Sequence, residues 1–383
     1  MIQTKSECTV TLINESVFYR EFTFDKNKFY PEDGAKELAD NVMMLDDLLF
    51  IIQVKERSLD RFTESTDKWF ANKVLKGAKK QIGSTLKYLN KYDQISIKNR
   101  RDQTIAIPNV NITEINKIII YEANETLKDE YVLMKFYESE VSGNIHLFNI
   151  EDYNYICKYL ITPTELDEYL KFRERIYLND KEKLKPCSEK YILCHFFNTA
   201  EDLCIKEEYL DTLSRLVEDT ESFDVAFFLN NFFNKMYVEE QKEAMDYHTI
   251  LKEIVSLKRY ELLEFKKRFK QMFEDINYKR LSMPYRFASY RLNCGFVFIP
   301  LLDDKVEYWQ NILQNSMEAF KYKHKLNKCI GMIAYKAEGC SDINWGFMQG
   351  DYAYNEELEK ALKSEEEFYG EGEIKQLERY NLK

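Results

Sequence analysis

Three residues with chemically useful side chains lie near a short acidic turn in the N-terminal part of the sequence. Two apolar runs flank Asp46-Asp47, which predicts a β-hairpin with a two-residue loop. Counting outward from this turn places Asp40 opposite Gln53, with both side chains on one face of the hairpin. Lys55 lies two residues beyond Gln53 and points the same way. We therefore expect a carboxylate, an amide oxygen and an amine to converge at the open end of the hairpin.

This set of side chains suits metal-dependent hydrolysis of a phosphodiester bond. Asp40 and Gln53 offer the hard oxygen ligands that Mg²⁺ prefers, leaving room for water and a phosphate oxygen. The metal lowers the pKa of a bound water and neutralises charge that develops on phosphorus. Lys55 can orient the attacking water and stabilise the same charge. The residues thus predict a catalytic site that uses Mg²⁺ or Mn²⁺ as its cofactor.

The pattern Asp-x12-Gln-x-Lys, on a hairpin that follows a predicted helix, resembles the PD-(D/E)xK superfamily of restriction-endonuclease-like nucleases. The resemblance covers residues from about 4 to 90. It implies catalytic roles for Asp40, Gln53 and Lys55. It also implies a further metal ligand on the first helix, and Glu7, at the start of the helix predicted over residues 6–18, occupies that place.

The sequence departs from the family pattern at two positions and leaves other assignments open. The middle ligand is Gln53 where the family usually has an acid, and the residue before Asp40 is alanine where the family often has proline. Glu37 could reach the site, but a regular strand would point it to the face opposite Asp40. Asp46 and Asp47 could be ligands in another register, although a role in the turn is favoured.

Charge is unevenly distributed along the chain. The 383 residues carry a net charge of −11, which taken alone argues against a nucleic-acid partner. Between residues 53 and 102, however, thirteen Lys or Arg stand against six Asp or Glu. This basic stretch contains a long amphipathic helix predicted over residues 64–92. The resemblance implies that its exposed face contacts nucleic acid through Lys73, Lys76, Lys80 and Gln81; an ordinary solvated face is the alternative.

The apolar pattern divides the chain into two regions. Residues 1–155 are expected to form the α/β nuclease-like domain, a mixed sheet flanked by helices. Residues 156–383 are expected to form a helix-rich α+β domain with a role in assembly, targeting or regulation. Strands are predicted at 103–107, 115–121, 132–137, 294–302, 328–336 and 342–349. Helices in the second region are predicted at 207–218, 247–273 and 306–324.

Other classes of site and location are disfavoured by composition. The eight cysteines include no Cys-x-x-Cys pair, and the four histidines show no zinc spacing. No glycine-rich phosphate loop is present. Cys194-His195 falls in a helical pattern, where adjacent side chains diverge by ~100° and cannot form a catalytic dyad. No run approaches a membrane span and the first residues lack a secretion-signal pattern, so we expect a cytoplasmic protein with no membrane partner.

The leading hypothesis is therefore a cytoplasmic, Mg²⁺-dependent nuclease, with DNA favoured over RNA as substrate and a role in anti-phage defence or restriction suggested by analogy. The C-terminal region would mediate self-association or bind a protein partner, with Phe227, Phe228, Phe232 and Phe233 as core or interface residues. One alternative is a catalytically weak or inactive nuclease-fold module that binds nucleic acid or a partner protein. Another is a purely structural interaction protein in which the motif is coincidental.

Overall fold

The protein was analysed as a computed structural model that describes residues 3–25, 27–32, 34–57, 64–108, 114–123, 126–198, 214, 246–337 and 340–364. The chain divides into two compact units, Met1–Asn234 and Lys235–Lys383. In the described part of the chain, no helix is both long enough and apolar enough to cross a membrane.

Unit one contains ten strands and eight α-helices among its described residues. The strands are β1 Thr23–Phe24, β2 Lys28–Phe29, β3 Lys36–Glu37, β4 Asn41–Leu45, β5 Leu48–Glu56, β6 Gln94–Lys98, β7 Thr104–Pro108, β8 Glu114–Glu122, β9 Phe136–Ser139 and β10 Gly143–Asn149. The helices are α1 Lys5–Val17, α2 Thr66–Trp69, α3 Ala78–Lys91, α4 Asp129–Val132, α5 Ile150–Cys157, α6 Pro163–Asn179, α7 Lys181–Leu184 and α8 Glu189–Asn198. A π-helical segment, Phe70–Gly77, joins α2 to α3.

Six of these strands form one mixed sheet in the order β1-β4-β5-β8-β10-β9. Strands β4 and β5 are the predicted hairpin, with Leu45 opposite Leu48 and Asn41 opposite Ile52. Asp46 adopts a left-handed φ of 51°, as a two-residue hairpin turn requires. The hairpin, its register and the expectation of a mixed sheet flanked by helices are confirmed.

Strand β5 is apolar on both sides, and helices cover both faces of the sheet. Leu49 and Ile51 face the helix that runs from α2 to α3, where Val74 and Ile82 belong to the same buried core. Alternate residues such as Ile52 face the other way, toward α1 and α5. Strands β5 and β8 are parallel, and the α2–α3 helix forms part of the connection between them.

The long helix predicted over residues 64–92 is present from Thr66 to Lys91, with π-helical geometry in its first half. The strand predicted at 132–137 is partly wrong. Residues Asp129–Val132 are helical and the strand begins only at Phe136. An Asp-Glu pair in the first turn of α4 favours the helix at this point.

The boundary expected at residue 155 differs from the observed division, because α6 and α8 pack on the first sheet. Arg173 of α6 is fully buried and pairs with Glu189 of α8 at 2.6 Å. It also donates to the carbonyl oxygens of Lys135 and Leu147. Asn116 of β8 donates to Asp167 of α6 at 2.9 Å. These contacts place residues 156–198 in the same unit as the hairpin.

The described part of unit two contains a four-stranded sheet and four α-helices. Its strands are β11 Tyr285–Ser289, β12 Cys294–Pro300, β13 Lys328–Ala337 and β14 Cys340–Gln349, paired in that order. Its helices are α9 Asp246–Val255, α10 Arg259–Tyr278, α11 Trp309–Lys323 and α12 Glu356–Ser364, with a 3₁₀ helix at Asp303–Tyr308. The strands β12 and β13 are parallel and α11 connects them.

Helices cover both faces of the second sheet. Leu313 and Met317 of α11 pack so closely that a Cβ on Gly331 would lie 2.5 Å from Leu313 Cδ1, so a larger residue here would displace these side chains. Phe265 of α10 contacts Phe298 on the opposite face, with ring centroids 5.2 Å apart. The three strands predicted here are confirmed.

One predicted C-terminal helix is divided in two, and other predicted C-terminal features lie outside the described residues. The single helix expected over 247–273 is two helices, because residues 256–258 separate α9 from α10. The helix predicted at 207–218 lies outside the described residues apart from residue 214. The four phenylalanines between 227 and 233 also lie outside the described residues.

Candidate active site

Asp40 and Lys55 form an ion pair at the open end of the hairpin. Lys55 Nζ donates to Asp40 Oδ2 at 2.9 Å, and the same oxygen accepts the backbone N–H of Val54 at 2.7 Å. Lys55 Nζ also donates to the Val54 carbonyl at 2.9 Å. The two side chains are 12% and 18% exposed, respectively, so both can be reached from solvent. Two of the predicted catalytic residues are therefore brought into direct contact.

Gln53 lies on β5, two residues before Lys55, and is almost completely buried. It is 2% exposed, and its Oε1 has no hydrogen-bond partner within the described part of the chain. On β8 it is opposed by Ile119, and strand alternation places it on the same side as the apolar Ile51. A buried amide oxygen without a partner costs about 1–3 kcal/mol, and native structures rarely retain one without a reason. This oxygen is suited to accept a cation.

Glu7 is held beside the ion pair by the N-terminus of α1. Its neighbour Ser6 donates its backbone N–H to Glu56 and its hydroxyl to Glu122, at the ends of β5 and β8. Glu7 itself forms a capping box with Thr4, whose backbone N–H donates to Glu7 Oε2 at 2.9 Å. The helix start thus fixes Glu7 at the same edge of the sheet as Lys55.

The electrostatics of Glu7 show which charges surround it. Burial raises its pKa above the ordinary value, and the N–H of Thr4 opposes this shift. The negative charges of Asp40 and Glu37 raise the pKa further, while the positive charge of Lys55 lowers it. The structure therefore gathers Glu7, Asp40 and Lys55 in one electrostatic neighbourhood.

Glu37 belongs to the same neighbourhood, which the sequence analysis did not favour. The expectation that it continues one regular strand with Asp40 is wrong. Residues 36–37 pair with β2 in a separate two-stranded sheet, and the ladder of β4 begins only at Asn41. This break frees Glu37 from the alternation that would have pointed it away.

Two residues that the sequence analysis missed hold the backbone just before Asp40. Asn27 Oδ1, 1% exposed, accepts the N–H groups of Leu38 and Ala39 at 3.2 and 3.1 Å. Thr85 of α3 donates its hydroxyl to the Leu38 carbonyl. Single polar residues without a motif gave no signal for this role, since the contacts span 11 to 47 residues of sequence.

The donor set fits a hard divalent cation. Asp40 and Gln53 would supply two oxygen ligands, and Mg²⁺ is commonly held by one or two protein oxygens together with water and substrate phosphates. Within the described ranges, no group of three or more His, Cys, Asp or Glu side chains is arranged to hold a metal. The fit therefore depends on the amide oxygen of Gln53.

The residues expected to contact nucleic acid lie on the outer face of the long helix. Lys73 and Lys76 belong to the π-helical segment, and Lys80 and Gln81 to α3. All four side chains are exposed. Gln81 lies one turn before Thr85, whose hydroxyl donates to the Leu38 carbonyl, so this face begins close to the backbone that carries Asp40.

The alternative ligands and nucleophiles are placed elsewhere. Asp46 and Asp47 form the hairpin turn, at the opposite end of β4 from Asp40. Cys194 and His195 are buried on α8. Burial raises the pKa of the Cys194 thiol to about 11, so it is not a thiolate at neutral pH.

No family model, curated protein or solved structure matches the chain.

Proposed function

We propose that the protein is a metal-dependent nuclease of the PD-(D/E)xK type. The observation that carries this proposal is the Asp40–Lys55 ion pair together with Gln53, which lies two positions before Lys55 on the same face of β5 and whose buried amide oxygen has no partner among the described residues. The position of the hairpin in a mixed sheet, after helix α1, supports the restriction-endonuclease-like assignment.

Each side chain of the site has a distinct task in this proposal. Asp40 and Gln53 hold the cation, and Lys55 donates hydrogen bonds to the scissile phosphate and the attacking water. Glu7 adds negative charge beside the cation and, when ionised, accepts a hydrogen bond from a water at the site. A bound Mg²⁺ or Mn²⁺ would acidify water and neutralise charge on the phosphate.

The Asp40–Lys55 ion pair gives each of the two charges a partner before substrate binds. Lys55 neutralises Asp40, and the N–H of Val54 orients the carboxylate. A cation bound to Asp40 would displace Lys55, which could then donate a hydrogen bond to the phosphate. The displacement would cost the free energy of one partly exposed ion pair, which is small.

Nucleic acid is the substrate that the surrounding charges favour. The exposed Lys73, Lys76 and Lys80 follow the site on one helix, and contacts of Lys with phosphate supply sequence-independent affinity. We favour DNA over RNA as the substrate. The enzyme would act in the cytoplasm, and analogy suggests anti-phage defence or restriction as its biological role. Unit two, Lys235–Lys383, would recognise a partner protein or a second copy of the chain.

A catalytically weak nuclease-fold module that binds nucleic acid or a protein is the second candidate. Gln53 favours it, since an amide lowers the negative charge at the site relative to a glutamate. Such a module would bind nucleic acid equally well with and without Mg²⁺ and would not cleave it.

Cleavage of supercoiled plasmid DNA in Mg²⁺ or Mn²⁺ tests the proposal. Asp40→Asn and Lys55→Ala should each reduce the cleavage rate by about 10²-fold or more while leaving the far-UV CD spectrum unchanged. Asp47→Asn, an exposed carboxylate in the hairpin turn, is the matched control and should cleave at the wild-type rate. Wild-type cleavage by either site variant would refute the assignment.

A further inference from the structure

A gap interrupts the row of lysines on α3. Lys80, Gly83 and Lys87 are spaced by three and four residues, so they lie on one face of the helix. The two lysine side chains are exposed, whereas Gly83 has none. Glycine in a helix interior costs about 1 kcal/mol relative to alanine, so a packing or functional reason is expected.

A buried hydroxyl lies next to this gap. A Cβ on Gly83 would be 3.8 Å from Ser142 Oγ, in the turn between β9 and β10. This is ordinary contact, so packing does not require a glycine at position 83. Ser142 is 5% exposed, and its buried Oγ has no hydrogen-bond partner among the residues that the structure describes. The hydroxyl thus retains a donor that these residues do not use, beneath the gap that Gly83 leaves in the lysine face.

An amine approaches the same turn from the sheet. A Cβ on Gly143 would be 3.6 Å from Lys117 Nζ, and Gly143 has a left-handed φ of 67°. Among the described residues, Lys117 forms no ion pair. The nearby carboxylate of Glu174 is hydrogen-bonded to Asn144, at 2.8 Å. Burial lowers the pKa of Lys117, which indicates an ammonium group partly removed from water.

We propose that Gly83, Ser142, Gly143 and Lys117 form a phosphate-binding notch that grips one backbone phosphate of a nucleic acid lying along the lysines of α3. Lys117 supplies positive charge and N–H donors, and Ser142 supplies an O–H donor. The two glycines leave room for close approach of the phosphate. This inference depends on the proposed nucleic-acid substrate, but not on catalysis.

The location of the notch gives it a role distinct from that of the active site. Position 83 is on α3 two residues before Thr85, whose hydroxyl bonds the backbone ahead of Asp40. Lys117 and Gly143 lie near the starts of β8 and β10, whereas Lys55 lies near the end of the parallel strand β5. A phosphate at the notch would therefore hold the nucleic acid at a second point, toward the other end of these parallel strands.

The test is duplex DNA binding by the full chain carrying Asp40→Asn, measured by fluorescence anisotropy without divalent cations over a salt series. In this background, Lys117→Met should weaken binding about tenfold and reduce the salt slope by about one. Ser142→Ala should also weaken binding about tenfold, with the slope unchanged. Lys158→Met, which removes an exposed lysine on the end of α5, is the matched control and should bind like its parent.

Thermal unfolding of the same free proteins separates binding from folding. Each variant removes a poorly satisfied buried group, so its Tm should equal or exceed that of the parent. Loss of DNA affinity with an unchanged or higher Tm supports the notch. Parent-like affinity in both variants would overturn it, as would a lowered Tm that accompanies the loss of affinity in both.

Two further results distinguish this inference from the proposed function. If the parent binds DNA but the wild type does not cleave it, catalysis fails and the notch stands or falls on its own variants. If inorganic phosphate raises the Tm of the parent but not that of Lys117→Met, while duplex binding is equal in both, the site serves free phosphate and the inference is wrong. If the parent binds no nucleic acid, the notch is wrong, whereas the proposed function is still decided by the plasmid-cleavage assay with Mg²⁺ or Mn²⁺.

Discussion

Lys55 and Asp40, fifteen residues apart in sequence, are joined directly by a 2.9 Å hydrogen-bonded ion pair. The two-residue turn at Asp46-Asp47 sets this pairing, because it aligns the start of β4 with the end of β5. Gln53 lies two residues before Lys55 on the same face of β5, and its buried amide oxygen has no hydrogen-bond partner among the described residues.

Replacing Gln53 should separate its ligand role from its packing role. Gln53→Glu should retain or increase metal-dependent cleavage, because a carboxylate binds Mg²⁺ more strongly than an amide. Without metal it should be less stable than wild type, since a nearly buried charge is left uncompensated. Differential scanning fluorimetry should therefore show a larger Mn²⁺-induced rise in Tm for Gln53→Glu than for wild type.

The matched variant is Gln53→Leu, which removes the unpartnered oxygen. It should unfold at a similar or higher temperature than wild type in the absence of metal, and it should lose cleavage. A well-folded, inactive Gln53→Glu protein would instead show that the Gln53 amide serves as a hydrogen-bond donor.

Glu7 should make stability depend on pH. Its pKa is raised in the folded protein, chiefly by burial, so ionisation disfavours folding once the pH exceeds the unfolded pKa. In metal-free buffer, Glu7→Gln should raise Tm at neutral pH by on the order of 1 °C. This gain should vanish as the pH falls below the unfolded pKa, where Glu7 is protonated in both states. Glu151→Gln, which removes an exposed first-turn carboxylate of α5, is the matched control.

The same carboxylate should strengthen cation binding. Isothermal titration with Mn²⁺ should show an affinity that declines as the pH falls through the pKa of Glu7, because protonation removes its negative charge. Glu7→Gln should weaken Mn²⁺ binding at neutral pH by about tenfold, in the range seen for groups that surround a metal site. An unchanged affinity would exclude Glu7 from the cation site.

The hairpin could be predicted because its signal is local. An acidic dipeptide between two apolar runs determines the turn, the register and the alternation of side chains. The long helix could also be predicted, since its apolar face repeats over many turns. The π-helical geometry of its first half could not be predicted, because the residues of Phe70–Gly77 carry no pattern that distinguishes π from α geometry.

Contacts between distant segments account for what the sequence did not predict. Arg173 joins α6 to α8 and to the edge of the first sheet through buried hydrogen bonds, and no motif marks them. Glu37 joins the site only because a second small sheet interrupts its strand. Asn27 is a lone polar residue whose role depends on the backbone path of Leu38 and Ala39.

Asn27 should position Asp40 without touching substrate. Asn27→Ala leaves the N–H groups of Leu38 and Ala39 without their side-chain acceptor and should cost about 1–3 kcal/mol of stability. Well below its Tm, this variant should also bind Mn²⁺ more weakly, as measured by titration calorimetry. Asn72→Ala, which removes an exposed amide, is the control. Wild-type Mn²⁺ affinity in Asn27→Ala would limit Asn27 to a structural role.

The division of the chain predicts which fragments fold. A 235–383 fragment should unfold cooperatively and should not cleave DNA, because its described sheet is covered by its own helices. A 160–383 fragment should aggregate, since α6 and α8 would lose the sheet that buries Arg173. Circular dichroism and light scattering decide this. A soluble, cooperative 160–383 fragment, or cleavage by the 235–383 fragment, would contradict the account.

The most direct test of the cation site is a crystal structure of the full chain with Mn²⁺, with anomalous data collected at the manganese edge. We expect an anomalous peak within about 2.0–2.4 Å of Asp40 and of Gln53 Oε1, with Lys55 displaced from Asp40 Oδ2. Crystals saturated with Mn²⁺ that show no peak between Asp40 and Gln53, and an intact Asp40–Lys55 pair, would contradict the central claim.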